Sequence, residues 1–596
     1  MILSYILVSL FVFTINVNAK SRLVHTEDGL IFGESSYTVI KSVPYLSFRG
    51  IPYAEPPVDD LRFQAPQPKQ PWRKILYAFS DKDQCIQSNE NNISGSEDCL
   101  YLNVYTPNQA FETSLKPVIV WIHGGVFARG NASKALYGPD FLIEADVVVV
   151  TIQYRLGALG FMNINHPSVS GNNGLKDQNL ALKWVQKNIH HFGGDPNKVT
   201  LMGQQAGGVA VDLHKISNMS TGLFQQTISL SASPLCKYWG FQNRAEARTQ
   251  AFLLGKLLGI EADDEEELIG FLKNVAAYEI VKKASKLPLI PFRPTLEKAD
   301  VAVDEPKFIT ECAPKLYHEG HYNKGPHMMG FTPNDILLLV QSSDDLMQYH
   351  KEAVKSINNN DMLNSISFVP KVITAPLEKT IGLEKMAFNK LIEELSDIYF
   401  VTGIDMKQKL LNEHNDAPIY YYRYLFKSSQ YSDKSGDWKN WNEIAYEDIL
   451  NHIFYKLNVE IELNNPKITI MREKLVKLFT NFAKYGNPTP IGERDMFLGI
   501  TWPDSGSEGA HLDINDDTTL TLGDRPINEL IEVYQKLCFD DFLYSDCNSS
   551  VLSDIFKYIT SIPGRTISTI SNVKDKFKEK ITNTISSAIK KIPVIG

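Results

Sequence analysis

Short apolar runs alternate with amphipathic segments through the first half of the chain. Four runs have the length and composition of buried strands, and they lie at residues 117–122, 147–152, 199–202 and 227–230. Residues 175–189 carry apolar side chains at helical spacing, at Leu180, Trp184, Val185 and Ile189. Apolar strands that alternate with helices are typical of a mainly parallel sheet that helices cover on both faces. The pattern therefore predicts an α/β protein whose ligands bind at the carboxyl ends of the strands.

The third of these strands leads directly into a glycine-rich turn. Gly203 and Gly207 bracket Gln205, and a helical pattern follows. This arrangement matches the G-x-S-x-G nucleophile elbow of α/β-hydrolases, a tight strand–turn–helix that presents one side chain to the active site. An elbow needs a hydroxyl or a thiol that can attack a carbonyl. A carboxamide is a poor substitute, because its nitrogen lone pair is delocalised. The sequence thus predicts a hydrolase architecture in which Gln205 replaces the nucleophile.

Composition and charge fit a secreted globular protein. The 596 residues are 43% apolar and 22% charged, and the formal net charge of −9 gives no bias toward nucleic acid. Residues 1–19 have the apolar run and the small residues before the cleavage point that are typical of a signal peptide. No later run is long enough to predict a membrane-spanning helix. Four Asn-x-Ser/Thr sequons, which suit a secreted glycoprotein, occur at Asn92, Asn131, Asn218 and Asn548.

The six cysteines fit an oxidising compartment. Two pairs flank short stretches that a disulfide could close, Cys85 with Cys99 and Cys538 with Cys547. The sequence leaves the states of Cys236 and Cys312 open. No C-x-x-C spacing occurs, which argues against a zinc site or a thioredoxin-like redox pair. We expect neither a metal nor another cofactor.

The composition changes beyond about residue 547. Residues 551–596 contain eight Lys and Arg against three Asp and Glu, and apolar residues recur every three or four positions from Ile570 to Ile592. This pattern predicts a basic amphipathic helix. Such a tail could lie on an anionic membrane surface, pair with a partner helix or fold onto the body. The chain is therefore divided into a signal peptide at 1–19, a body at 20–547 and a tail at 548–596.

Several motifs in the body follow one another in the order of a known family. They are residues 49–54, 96–104, 123–125, 154–157, 171–178 and 192–196. Together they resemble the type-B carboxylesterase and cholinesterase family, and the insect carboxylesterases most of all, over about residues 22–540. The resemblance implies an α/β-hydrolase fold with a large, mostly parallel central sheet flanked by helices. It also implies that Cys85 and Cys99 form the first disulfide of the family.

The family's oxyanion hole maps onto backbone amides of this chain. By resemblance its donors are the amides of Gly125, Val126 and Ala206. Gln205 should project from the elbow toward these amides, where its carbonyl oxygen could accept a hydrogen bond. A glutamine side chain in this position would fill the space that a substrate carbonyl needs. We therefore expect short-chain esters to bind weakly in the gorge.

The family's catalytic triad runs serine, acid, histidine along the chain, and this sequence departs from it twice. Gln205 occupies the serine slot, and Asp335 lies in the acid slot, where it could serve as the acid or simply hydrogen-bond a loop. The histidine slot falls on Tyr446, or on Ala445 if one residue is skipped. His452 lies six residues beyond Tyr446, and a role as the base competes with a packing role.

Because two members of the triad are missing, we predict that this secreted carboxylesterase-like protein is catalytically inactive. It would act by binding a protein or a hydrophobic small molecule, as silent members of the family do, and the tail is a possible contact with a membrane surface or a partner. The alternative is an active carboxylic-ester hydrolase with non-standard catalytic residues. Ser231 and Ser233 lie downstream of the elbow, but the family places them outside it. A storage protein is a third possibility, which the ordinary composition does not support.

Overall fold

A computed structural model gives the fold over most of residues 21–535. The described residues are 21–89, 92–111, 114–236, 239–287, 290–340, 346, 348–349, 381–414, 416–427, 448–457, 465–490, 497–528, 531–532 and 535. Several sequence predictions fall outside this set, namely the signal peptide at 1–19, the base slot at Ala445 and Tyr446, the pair Cys538 and Cys547, and the tail at 548–596 with Asn548.

Most strands of the described residues belong to one large sheet. In chain order the strands are β1 (Arg22–Thr26), β2 (Gly29–Tyr37), β3 (Pro44–Pro52), β4 (Leu76–Tyr77), β5 (Gln87–Asn89), β6 (Asn92–Ser94), β7 (Tyr101–Pro107), β8 (Lys116–Ile122), β9 (Val148–Ile152), β10 (Gly194–Gln204), β11 (Gln226–Leu230), β12 (His327–Phe331), β13 (Ile419–Tyr424), β14 (His511–Ile514) and β15 (Leu520–Gly523). The sheet order is β1-β2-β3-β7-β9-β8-β10-β11-β12-β13-β14-β15, with β4 paired to β2, while β5 and β6 form a separate hairpin.

The centre of the large sheet is parallel and its two ends are antiparallel. Neighbouring strands from β9 through β8, β10, β11, β12 and β13 to β14 all pair in parallel. The pairs β1–β2, β2–β3, β3–β7 and β7–β9 and the final pair β14–β15 are antiparallel, while the short β4 pairs with β2 in parallel. The predicted α/β architecture with a mostly parallel central sheet is confirmed.

Helices lie between the strands. They are α1 (Asp140–Ile143), α2 (Gly157–Phe161), α3 (Asn173–Asn188), α4 (Ala206–Ile216), α5 (Arg244–Leu258), α6 (Glu265–Asn274), α7 (Ala277–Ala284), α8 (Ala313–His318), α9 (Ile381–Ser396), α10 (Thr402–His414), α11 (Asp448–Ile453) and α12 (Pro466–Tyr485). Short 3₁₀ helices occur at Asp59–Leu61, Asn108–Phe111, Ile189–Phe192, Asn218–Ser220 and Asp335–Leu338, and a π-helix at Asp397–Val401 joins α9 to α10. Among the described helices, none has both the length and the apolar composition needed to cross a membrane.

The central strands separate two hydrophobic clusters. On β8, Val118 and Val120 enter one cluster, whereas Ile119 and Trp121 enter the other, and all four side chains are fully buried. This alternation follows from the two-residue period of a strand. Because both faces are covered, the strand reads as one continuous apolar run, which is why the sequence could predict it.

The cysteines of the described residues have three different environments. Cys85 and Cys99 form the predicted disulfide, with their Cα atoms 4.9 Å apart. Cys236 is a buried free thiol, and burial raises its pKa far above the usual range. Cys312 is disulfide-bonded. The sequence had left the last two open.

Candidate functional site

The elbow residue Gln205 lies between the end of β10 and the start of α4. Its backbone has φ 53° and ψ −119°, a region that side-chain-bearing residues rarely adopt. Two backbone hydrogen bonds hold it there. Gln205 N donates to Leu230 O at 3.0 Å, and Val209 N donates to Gln205 O at 2.8 Å. The strained geometry of a nucleophile elbow is therefore present around a glutamine.

The two bracketing glycines allow the strand and the helix to approach each other. A Cβ atom on Gly203 would lie 2.4 Å from the carbonyl group of Gly207. A Cβ atom on Gly207 would lie 2.1 Å from the carbonyl oxygen of Ile122 in β8. Neither contact could be relieved by rotating a side chain, because backbone atoms are involved. The glycines are thus explained by packing alone, whatever the residue between them does.

The loop after β8 supplies the oxyanion donors, and its backbone is unusual. Gly125, Val126 and Phe127 follow one another with φ of 108°, 51° and 61°. A positive φ is a genuine outlier for a β-branched residue such as Val126. Backbone strain of this kind costs ~1–3 kcal/mol per residue and persists only where the surroundings impose it. The conformation turns successive amides of this loop toward the elbow.

The side chain of Gln205 lies in this loop and bonds to it. Gly125 N donates to Gln205 Oε1 at 2.7 Å, and Val126 N donates to the same oxygen at 3.3 Å. Gln205 as a whole is 3% exposed. Ala206, the third donor expected from the resemblance, is fully buried at the start of α4, and its amide makes no hydrogen bond to Oε1 among the described residues. The glutamine oxygen thus occupies the position where an oxyanion hole would hold a carbonyl oxygen.

His123 holds the first residues of the same loop in place. Its Nδ1 donates to Gly124 O at 2.8 Å, its ring stacks on Tyr154 at 4.4 Å, and its carbonyl accepts from the Tyr154 hydroxyl at 2.8 Å. Burial lowers the pKa of His123 to about 4. The ring is therefore neutral at physiological pH, and the proton on Nδ1 forms the hydrogen bond to Gly124 O. We assign it a positioning role.

Asp335, in the acid slot, is fully buried and bonded to hydroxyl groups. Ser231 Oγ and Thr332 Oγ1 donate to its Oδ1 at 3.0 and 2.6 Å, and Thr332 N donates to its Oδ2 at 3.0 Å. Burial raises the pKa of Asp335 to about 7, against the opposing effect of these hydrogen bonds. Sequence reasoning missed the contact with Ser231, which directly follows the neighbouring strand β11. Thr332, three residues before the acid, was the only local signal for such a network.

His452 is packed in the core. It lies on α11, fully buried, and its ring meets that of Phe426 edge to face at 5.3 Å. Burial, together with the nearby charge of Arg472, lowers its pKa to about 3. Its helix neighbour Ile453 belongs to the cluster that contains Trp121, whereas the elbow helix packs in the other cluster. This environment favours the packing role.

A buried ion pair links the elbow helix α4 to helix α10. Lys407 Nζ, on α10, donates to Asp212 Oδ2, on α4, at 2.6 Å, and both side chains are fully buried. Lys407 also donates to Ser229 Oγ at 3.3 Å and to Ala232 O at 3.2 Å. Sequence reasoning missed this network, because the two charges lie far apart in the chain and have no motif.

The described sequons differ in accessibility. Asn92 and Asn218 are exposed, whereas Asn131 is half-buried. Asn131 Nδ2, the atom that would carry a glycan, donates to Gln84 Oε1 at 3.0 Å, and Asn131 Oδ1 accepts from Ser133 N at 3.0 Å. Glycosylation at these positions stays a prediction, and the geometry favours Asn92 and Asn218 over Asn131.

Comparison with known proteins relates this site to esterases. The sequence model of the "Carboxylesterase family" matches residues 20–529. Juvenile hormone esterase of Tribolium castaneum is 33% identical over 511 residues, which cover 78% of this chain and 84% of that protein. Esterase FE4 of Myzus persicae is 32% identical over 503 residues, with 78% and 84% covered. The crystal structure of juvenile hormone esterase from Manduca sexta, with OTFP covalently attached, superposes with a TM-score of 0.70 at 27% identity, covering 88% of this chain and 99% of that one. The chain belongs to the carboxylesterase family and has its α/β-hydrolase fold.

Proposed function

We propose that this member of the carboxylesterase family does not hydrolyse esters and acts instead as a secreted binding protein. Its ligand would be another protein or a hydrophobic small molecule. The observation that carries the proposal is the position of Gln205 Oε1, 2.7 Å from Gly125 N in the oxyanion hole. Secretion is supported by the signal-peptide pattern of residues 1–19 and by the Cys85–Cys99 disulfide.

The chemical reasoning concerns both the nucleophile and the hole. Gln205 offers no atom that can attack a carbonyl. In a comparable serine hydrolase, removal of the nucleophile alone lowers turnover ~10⁶-fold, and the residual rate depends on the oxyanion hole and on binding. Here two of the three expected donors, the amides of Gly125 and Val126, are already bonded to the side chain of Gln205. A substrate carbonyl would therefore have to displace the Gln205 amide before it could use the hole.

Hydrolysis of a short-chain nitrophenyl ester and labelling by a fluorophosphonate probe test this proposal. We expect the folded protein to hydrolyse the ester no faster than a heat-denatured sample, and to remain unlabelled. Gln205→Ser should gain little activity, because the slot that holds the family's histidine falls on Tyr446 or Ala445, neither of which can accept the serine proton as histidine does. The double change Gln205→Ser with Tyr446→His should gain more if Tyr446 occupies the base slot. Robust turnover by the wild type that survives Gln205→Ala would refute the proposal.

A second candidate function rests on Ser231. Its hydroxyl donates to Asp335 at 3.0 Å, and the pKa of about 7 would let this carboxyl take up a proton near neutral pH. An esterase that uses this pair as nucleophile and base is the alternative. Ser231 is only 2% exposed and Asp335 is fully buried, so a substrate has no visible approach to them. If the wild type hydrolyses esters, Ser231→Ala should abolish the rate under this alternative, whereas Ser233→Ala is the matched control.

The binding role of the tail can be tested separately. Residues 548–596 lie outside the described residues, and their basic composition motivates the experiment. Sedimentation with vesicles that contain anionic phosphatidylserine would compare the full chain with a chain that ends at residue 547. We expect the full chain to bind more at low salt than at high salt. Equal binding of the two chains would argue against a membrane role for the tail.

A further inference from the structure

The side chain of Gln205 has the same connectivity as a serine that carries an acyl group. In an acylated serine, Cβ is followed by Oγ and then by a planar carbonyl carbon that bears an oxygen and the first atom of the acyl chain. In Gln205, Cβ is followed by Cγ and then by the planar Cδ, which bears Oε1 and Nε2. Each non-hydrogen atom of the acetylated serine therefore has a counterpart in glutamine.

The hydrogen bonds place Oε1, the counterpart of the acyl carbonyl oxygen, in the oxyanion hole. Gln205 Oε1 accepts from Gly125 N at 2.7 Å and from Val126 N at 3.3 Å, as the carbonyl oxygen of an acyl group would. The fit is close, since a Cβ atom on Gly124 would already lie 3.1 Å from Oε1. The bond that corresponds to the ester link is the carbon–carbon bond between Cγ and Cδ, which water cannot cleave.

We infer that the side chain of Gln205 mimics the acyl group of an acyl-enzyme. It occupies a latent site that would bind small carboxylates and primary amides if the side chain were removed. In the wild type this site is filled by the chain's own carboxamide. Gln205 then determines specificity, because ligands that would place a carbonyl or carboxylate in the hole are excluded. The inference rests on the proposed function and extends it, since it names the class of ligand that Gln205 excludes from the oxyanion hole.

The latent site should remain formed when the amide is removed. Its shape is set by backbone contacts that do not involve the Gln205 side chain, including the bonds from Gln205 N to Leu230 O and from Val209 N to Gln205 O. The elbow also sits at the N-terminus of α4, an eleven-residue helix whose dipole favours negative charge. Gln205→Ala removes Cγ, Cδ, Oε1 and Nε2, and acetamide has the same atoms in the same order. The cavity should therefore accept acetamide, and acetate in the same place.

Chemical rescue by acetamide tests this inference. Binding of acetamide and of acetate would be measured by saturation-transfer NMR and by thermal unfolding, on the wild type, Gln205→Ala and Gln205→Met. We expect saturable binding to Gln205→Ala alone, with a dissociation constant on the order of millimolar for so small a ligand. Methionine fills most of the space but leaves the amides without an acceptor, so Gln205→Met should not bind. If Gln205→Ala folds poorly, Gln205→Gly creates the same cavity with a residue that tolerates the positive φ.

Two results would overturn the inference. One is the absence of saturable acetamide binding to folded Gln205→Ala and Gln205→Gly. The other is equal binding to the wild type or to Gln205→Met, which would locate acetamide elsewhere. These outcomes are separate from the proposed function, because no turnover is measured. Ester hydrolysis by the wild type would refute the non-hydrolytic role and leave the acetamide result intact.

Discussion

Replacement of Asp335 by asparagine should remove a pH dependence of stability that the buried carboxyl imposes on the whole fold. Asp335 is fully buried, and hydrogen bonds from Ser231 and Thr332 support its charged form. Burial raises its pKa to about 7 in the folded state. In the unfolded chain an aspartate titrates at ~4. The two states therefore bind different numbers of protons over about three pH units.

The sign follows from this difference. Below pH ~4 both states hold the proton, and the group has no effect on the pH dependence. Between pH ~4 and ~7 the unfolded chain has released the proton while the folded protein keeps it, so stability falls as pH rises. Each unit of difference in pKa between the two states corresponds to ~1.4 kcal/mol of unfolding free energy. Three units give an upper limit of ~4 kcal/mol. Above pH ~7 both states are ionised, and this contribution to stability has been lost.

Asparagine fits the same position without titrating. Its carbonyl oxygen can accept from Thr332 N, and its amide can donate to the hydroxyl oxygens of Ser231 and Thr332, which rotate to accept. The measurement is the urea midpoint of the wild type and Asp335→Asn between pH 4 and pH 8. Asp60→Asn, at an exposed position, is the control. We expect the stability of Asp335→Asn relative to the wild type to rise over this range. A difference that stays constant with pH would refute the reasoning.

Two further predictions concern structural bonds. Replacing both Cys85 and Cys99 by serine should lower the free energy of unfolding by ~3 kcal/mol in the chain-entropy model, which thermal unfolding with and without reductant would measure. Lys407→Met should cost ~3–5 kcal/mol, because the Asp212 carboxylate is then buried without its cation. Adding Asp212→Leu should restore most of this stability, and a double mutant no more stable than Lys407→Met would contradict the ion-pair explanation.

The sequence could predict those parts of the fold whose causes are local. Strand β8 was visible because burial on both faces makes it continuously apolar. Strand β10 begins at Gly194, before the predicted start at 199, since its first residues are polar and their pairing with β8 is irregular. The elbow was predictable because only glycine permits the contact between Gly203 and Gly207.

Contacts between distant residues were not predictable from one sequence. Ser231 and Asp335 are 104 residues apart, and Lys407 and Asp212 are 195 apart. Each pair joins side chains from elements that the sheet order brings together, and no spacing rule connects such elements. A buried lysine also reads as a surface residue until its partner is known. The acid slot could therefore be located, but its bonding could not.

The backbone at the elbow explains why the residue at position 205 matters so much. Its conformation is fixed by the Leu230 and Val209 hydrogen bonds and by glycine contacts, all of which are independent of its side chain. A side chain at this position is directed toward the amides of Gly125 and Val126. Alanine would leave both donors to water, whereas glutamine reaches both. The chain thus supplies its own carbonyl to two donors that a shorter side chain would leave to water or to a substrate.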